Sequence, residues 1–148
     1  MTDERRPAET FEHVIRVGWG DCDPARIVFT GRIPSFALDA IDAFWERATG
    51  VGGWFENELD HGVGMPFVHM SLDFRQPIGP RHRLVCRVFP VALGKTSVTL
   101  RVEGRQDGAL CFEGRFVEVF VDPATFSKRP PPERIVEALA PYLVEMPA

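Results

Sequence analysis

From Phe11 to Trp19 the chain alternates, with Phe11, His13, Ile15, Val17 and Trp19 on one side and Glu12 and Arg16 on the other. That two-residue period predicts a first strand. Over 18–31 glycine, proline and two aspartates break the pattern and predict a structured loop. From Ile33 to Ala48 the period lengthens to that of a helix. Ser35, Asp39, Asp42 and Glu46 fall on one narrow polar stripe, and apart from Arg47 the other positions past Pro34 are apolar. A helix apolar over most of its circumference must be enclosed by other structure. Pro34 sits in the first turn, where its missing N–H costs nothing, and Gly50 is placed to end the helix. The stretch Trp54 to Leu59 predicts a short second helix before a turn at 60–64.

The remainder has the period of strands. Val68, Met70, Leu72 and Phe74 alternate with His69, Ser71, Asp73 and Arg75, predicting a half-buried strand that stops at Pro77, Gly79 and Pro80. Leu84, Cys86 and Val88 define the next strand, and Val98, Leu100 and Val102 the one after the Gly94 turn. Leu110 to Val121 predicts the last long strand, whose mixed phase around Arg115–Val117 suggests a bulge or burial on both faces. Pro130–Pro132 precede a short terminal helix near Glu133–Tyr142. No strand–helix–strand alternation occurs, so the sheet is expected to be antiparallel. One long helix, apolar nearly all round, calls for a curved sheet to enclose it. The expectation is an α+β protein of the hot-dog type: a curved antiparallel β-sheet wrapped around one long central helix. Residues 1–148 are expected to form one domain, with 1–10 a flexible N-terminal segment.

Composition narrows the function. The 148 residues carry 45% hydrophobic and 26% charged positions, ordinary for a globular chain long enough to bury a core. A net charge of -4 gives no basic footprint for nucleic acid. No run of about eighteen apolar residues predicts a membrane span, and the polar N-terminus lacks the apolar core of a signal peptide. Cys22, Cys86 and Cys111 are odd in number and widely spaced, which reads as reduced thiols in a cytoplasmic protein. No histidine and carboxylate spacing suggests a metal site, and no cofactor is expected.

The chemistry concentrates between the first strand and the long helix. The segment Gly20-Asp21-Cys22-Asp23-Pro24-Ala25-Arg26-Ile27-Val28 resembles the 4-hydroxybenzoyl-CoA thioesterase family, whose signature runs G-D-C-D-P-A-G-I-V. Arg26 stands where that signature has its second glycine. Weaker echoes are Ala-Leu-Asp-Ala at 37–40, Phe74-Arg75-Gln76-Pro77, Leu93-Gly94-Lys95-Thr96-Ser97 and Val121-Asp122-Pro123. The resemblance implies hydrolysis of an acyl-CoA thioester with Asp23 as nucleophile or general base. It also implies that the backbone N–H of Thr30 polarises the thioester carbonyl. Either role for Asp23 needs an ionised carboxylate held against the carbonyl carbon in a dry site. Without the resemblance, Asp23-Pro24 reads as a turn. Asp21 is expected to accept backbone N–H bonds, and Cys22, flanked by two carboxylates, to be a poor nucleophile.

Substrate contacts follow from the chemistry of coenzyme A. Its phosphates call for a cation, hydroxyls and a close-approaching glycine, which Gly94, Lys95, Thr96 and Ser97 offer, with Arg75 or Arg105 as possible helpers. Phe29, Gly64, Met65 and Pro66, with Trp45 or Trp54, are expected to line the acyl pocket. In some relatives a carboxylate on the central helix is catalytic. Here Asp39, Asp42 and Glu46 read more simply as a solvated or interfacial stripe. A hydratase of the same fold would carry a histidine soon after the aspartate, and residues 24–35 contain none. A non-catalytic acyl-CoA-binding protein is the other alternative. Edge strands of a lone curved sheet predict a homodimer or homotetramer, with the site at the interface. The acyl group itself is not legible.

Overall fold

The computed structural model describes residues 7–145. The chain runs β1 (Glu12–Ile15), α1 (Ile33–Thr49), α2 (Trp54–Leu59), β2 (Phe67–Phe74), β3 (Leu84–Leu93), β4 (Ser97–Gln106), β5 (Ala109–Val119) and α3 (Glu133–Leu139). The five strands form one antiparallel sheet in the order β1-β3-β4-β5-β2. Along β4 buried and half-buried positions alternate, so Val98, Leu100 and Val102 point to the face under α1. There they meet Ile33, Phe36, Ala37, Ala40, Ile41, Phe44 and Trp45 of the helix in a continuous core. The curved antiparallel sheet around one long helix agrees with the hot-dog expectation.

α1 ends where glycine was expected to end it. Gly50 adopts φ 70°, the left-handed conformation that closes a helix, and its N–H reaches Glu46 O at 2.9 Å. No described helix is long and apolar enough to cross a membrane. The expected flexible segment lies, for residues 1–6, outside the described residues, and Glu9 N–H donates to Pro141 O at 2.9 Å.

Three expectations change in detail. β1 stops at Ile15, because the chain turns at Gly18 and Trp19 enters a 3₁₀ turn that leaves it 94% exposed. The irregularity expected near Arg115–Val117 lies across the ladder. The β2–β5 register shifts between Phe67 and His69, opposite Glu118 and Val117. β2 itself alternates as predicted, yet it is not half-buried. Phe67, Val68, Met70 and Phe74 are all exposed. Met70 and Phe74 pair with Phe116 and Phe112, which are buried, so they share the core-facing side of the sheet. α1 packs chiefly on β1, β3 and β4, and on the inner face of β2 only Leu72 is half-buried.

Candidate active site

The loop before α1 is held by its own aspartates. Asp21 Oδ2 accepts the Gly18 N–H at 2.8 Å, and Oδ1 accepts Arg32 Nε at 2.8 Å. The Gly18 N–H, with help from Arg32, holds the Asp21 carboxyl below its usual range despite partial burial. Asp21 O also accepts the Phe29 N–H at 2.9 Å, so this residue ties both ends of the loop together.

Asp23 heads the next turn. Its Oδ1 accepts the Ala25 N–H at 2.8 Å, its carbonyl accepts the Arg26 N–H at 2.9 Å, and its own N–H reaches Ile27 O at 3.0 Å. The turn reading and the catalytic reading are therefore compatible, because one carboxylate oxygen builds the turn and the other remains free to act. Arg26 completes the turn at φ 66°, the left-handed region that glycine occupies without penalty. The resembled signature has glycine at this place, so the backbone shape of the turn survives the substitution. Cys22 Sγ lies 3.7 Å from Gly18 O and forms no disulfide.

Asp23 borders a cleft of about 730 Å³ with Arg16, Trp19, Cys22, Arg26 and Pro80. Thr30 opens the 3₁₀ turn that runs into α1, and its N–H takes part in none of the hydrogen bonds among the described residues. A helix start of this kind presents unpaired N–H groups and the positive end of the helix dipole.

The expected acyl-pocket residues gather elsewhere. Gly64, Met65 and Pro66 line a cavity of about 410 Å³ together with Trp45, Trp54 and Phe67. Gly64 exchanges two 2.9 Å backbone bonds with Val121, and a Cβ there would come within 2.7 Å of the Val121 side chain. That approach explains the glycine. Phe29 borders neither cavity and is 58% exposed. Gly94, Lys95, Thr96 and Ser97 form the β3–β4 turn, where Gly94 N–H donates to Ser97 O at 2.8 Å. Thr96 O accepts the Phe120 N–H at 2.8 Å, beside the Val121 that lines the second cavity. Arg75 and Arg105 are engaged by ion pairs, Arg75 with Glu113 at 3.0 Å and Arg105 with Glu103 at 3.5 Å.

Four acids line the cavity, Asp39, Asp42, Glu58 and Glu118, and for three of them the structure adds what the sequence reading did not assign. Asp39 and Asp42 line the cavity rather than merely facing solvent. Asp42 Oδ1 accepts the Trp54 N–H at 2.9 Å, capping the start of α2 from a different helix. Gly53 makes that cap possible, since a Cβ there would collide with Asp42. Glu118 is the third, 1% exposed and bonded through Oε1 to Trp45 Nε1 at 2.9 Å. The stripe period could have flagged the two aspartates, but nothing local in the sequence marks Glu118.

Comparison with known proteins places this arrangement in a family. The profile of the Thioesterase-like superfamily matches residues 17–139, and the chain belongs to that superfamily. Among solved structures, a thioesterase-superfamily protein from Jannaschia sp. CCS1 is 47% identical. The match covers 98% of this chain and 99% of that one, with a TM-score of 0.89. A 1,4-dihydroxy-2-naphthoyl-CoA thioesterase from Synechocystis is 21% identical, covering 88% of this chain and 96% of that one at a TM-score of 0.77. A DHNA-CoA thioesterase from Staphylococcus aureus is 12% identical, covering 82% and 80% at a TM-score of 0.72. At those lower identities the likeness is one of fold. The curated proteins give no match.

Proposed function

We propose that this protein hydrolyses an acyl-CoA thioester to the free acid and coenzyme A, with Asp23 as the essential carboxylate. The observation that carries the reading is the half-buried Asp23 turn leading into α1 in a chain of the Thioesterase-like superfamily. One carboxylate oxygen accepts the Ala25 N–H and the other is available to attack the carbonyl carbon or to take a proton from water. The Thr30 N–H, at the positive end of α1, is the donor for the developing oxyanion.

Asp23 and the cavity at Gly64, Met65 and Pro66 share no lining residue within one chain. In this proposal a second copy supplies the missing half, so that Asp23 of one subunit meets the acyl cavity of the other. Phe29, exposed beside Thr30, covers the thioester in that assembly. Lys95 and its turn, Gly94, Thr96 and Ser97, hold the phosphates of coenzyme A.

The test is thiol release from a panel of aryl, short-chain and medium-chain acyl-CoAs. Turnover of at least one of them by the wild-type protein, at a rate lost on substituting Asp23, supports the reading. Absence of turnover across the panel overturns it.

A further inference from the structure

The cavity beside Gly64–Pro66 has an uneven lining. Its walls are mostly apolar, yet its charged lining residues are Asp39, Asp42, Glu58 and Glu118, and among the described residues no lysine, arginine or histidine lines it. Glu118 is the most deeply placed of these acids. It lies on β5 opposite Phe67 and Val98, with its side chain on the helix-facing side of the sheet. Its one hydrogen bond among the described residues comes from the Trp45 indole to Oε1. Burial pushes the Glu118 carboxyl up to about 8; the Trp45 bond opposes that shift and the nearby Asp42 charge adds to it. Burial thus favours the uncharged acid, a donor as well as an acceptor. A buried carboxyl with spare hydrogen-bonding capacity is costly unless a partner fills it.

We propose that Glu118 is the specificity-determining residue of the acyl cavity, pairing its carboxyl with a hydrogen-bonding substituent on an uncharged acyl group while the cavity's other acids repel acyl groups ending in a carboxylate. The inference rests on the thioesterase reading and deepens it. A volume of about 410 Å³ accommodates a single ring with room to spare, since a cavity of about 150 Å³ already holds benzene. The apolar walls bind the body of the acyl group. Glu118 reads its substituent, and Asp39, Asp42 and Glu58 raise the free energy of any anion brought in without a counter-charge.

The experiment compares kcat/KM for benzoyl-CoA, hydroxybenzoyl-CoA and carboxybenzoyl-CoA, with circular dichroism confirming the fold of each variant. The wild-type protein should favour hydroxybenzoyl-CoA over benzoyl-CoA by roughly tenfold or more, and carboxybenzoyl-CoA should be the poorest of the three. Glu118→Gln keeps an acceptor for Trp45 and a donor for the substrate, so its preference should stay within about threefold of wild type. Glu118→Met should bring the hydroxybenzoyl-to-benzoyl ratio close to one while benzoyl-CoA is still hydrolysed. If Glu118→Met slows both substrates equally, the residue is structural and the proposal falls. Should that variant fail to fold, the wild-type protein still decides, because equal turnover of carboxybenzoyl-CoA and benzoyl-CoA overturns the proposal directly. Wild-type turnover with an unmoved ratio defeats this inference alone; no turnover of any acyl-CoA defeats the thioesterase reading as well.

Discussion

Two carboxylates in this protein have opposite environments, and each yields a distinct expectation. Asp23 is half-buried in a turn that its own Oδ1 helps to hold through the Ala25 N–H at 2.8 Å. Asp23→Asn retains that acceptor, so fold and substrate binding should persist while the charge is lost. Turnover should fall by about 10²–10⁴-fold, the usual contribution of a positioned base, or further if the route is covalent. Thiol-release kinetics with KM read alongside kcat check this, and near-wild-type kcat would refute the mechanism. Glu118 is held as an acid up to about 8 against an ordinary 4.5, by burial first. Between those values the unfolded chain has released the proton that the folded chain keeps. The corresponding stability is therefore complete below about pH 4.5 and is lost as pH rises towards 8. At about 1.4 kcal/mol per unit the loss is of the order of a few kcal/mol. Glu118→Gln should flatten this slope, so denaturant midpoints of wild type and variant should diverge between pH 5 and 8.5. Parallel curves would show that Glu118 is already ionised in the folded state. The contrast also explains what the sequence made legible. Asp23 stands in a local nonapeptide, Gly20 to Val28, whose pattern needs no tertiary information. Glu118 is one more glutamate in an alternating strand, like the Glu113 that pairs with Arg75. Its burial depends on Trp45, 73 residues away.

Elements behave in the same way, legible where their cause is local. α1 was readable because its apolar positions and Pro34 lie within its own span and Gly50 directly follows it. The function of its polar stripe was not, since Asp42 owes its role to Trp54 and Gly53 in the following segment. For β2 the alternation was correct and the burial was not, because burial is a property of whatever covers the strand. The loop that carries Asp23 offers the sharpest test at this scale. Arg26 holds φ 66° without glycine's freedom, a conformation that costs a side-chain-bearing residue about 1–2 kcal/mol. Arg26→Gly should remove that strain while loosening the unfolded chain, a net gain of a few tenths to about 1 kcal/mol. Arg26→Val, β-branched, should lose at least about 1 kcal/mol, because branching at Cβ is poorly tolerated where φ is positive. Urea unfolding of the three proteins should rank glycine above arginine above valine. A glycine variant less stable than wild type would mean that the arginine side chain contributes more than its backbone costs.

At the scale of the whole molecule, the sheet ends on one side in β2, an eight-residue edge strand whose outer backbone groups pair with no strand among the described residues. Such an edge invites another strand. Phe67 at 41%, Val68 at 59%, Met70 at 49% and Phe74 at 51% exposure make it apolar as well, and α1 packs chiefly on β1, β3 and β4 instead. A second copy fits this surface on geometric grounds. Two antiparallel β2 edges related by a two-fold axis would extend the sheet across both subunits and bury the same apolar row on each. The proposed function points the same way, since Asp23 and the cavity at Gly64–Pro66 border no common space within one chain. The protein is therefore expected to be at least a dimer, and a pair of dimers is compatible with the same contact. Light scattering should report a particle of at least twice 16.6 kDa at micromolar concentration. Met70→Glu places a charge in the centre of the apolar row, and a buried unpaired charge is strongly destabilising to an interface. That variant should run as a smaller particle, keep the circular dichroism of a folded α+β chain, and lose thioester hydrolysis together with assembly. A wild-type particle of 16.6 kDa that hydrolyses acyl-CoA would refute both the dimer and the shared site. A Met70→Glu monomer with full activity would refute the shared site alone, and would require Asp23 to act within the cleft it borders with Arg16 and Trp19.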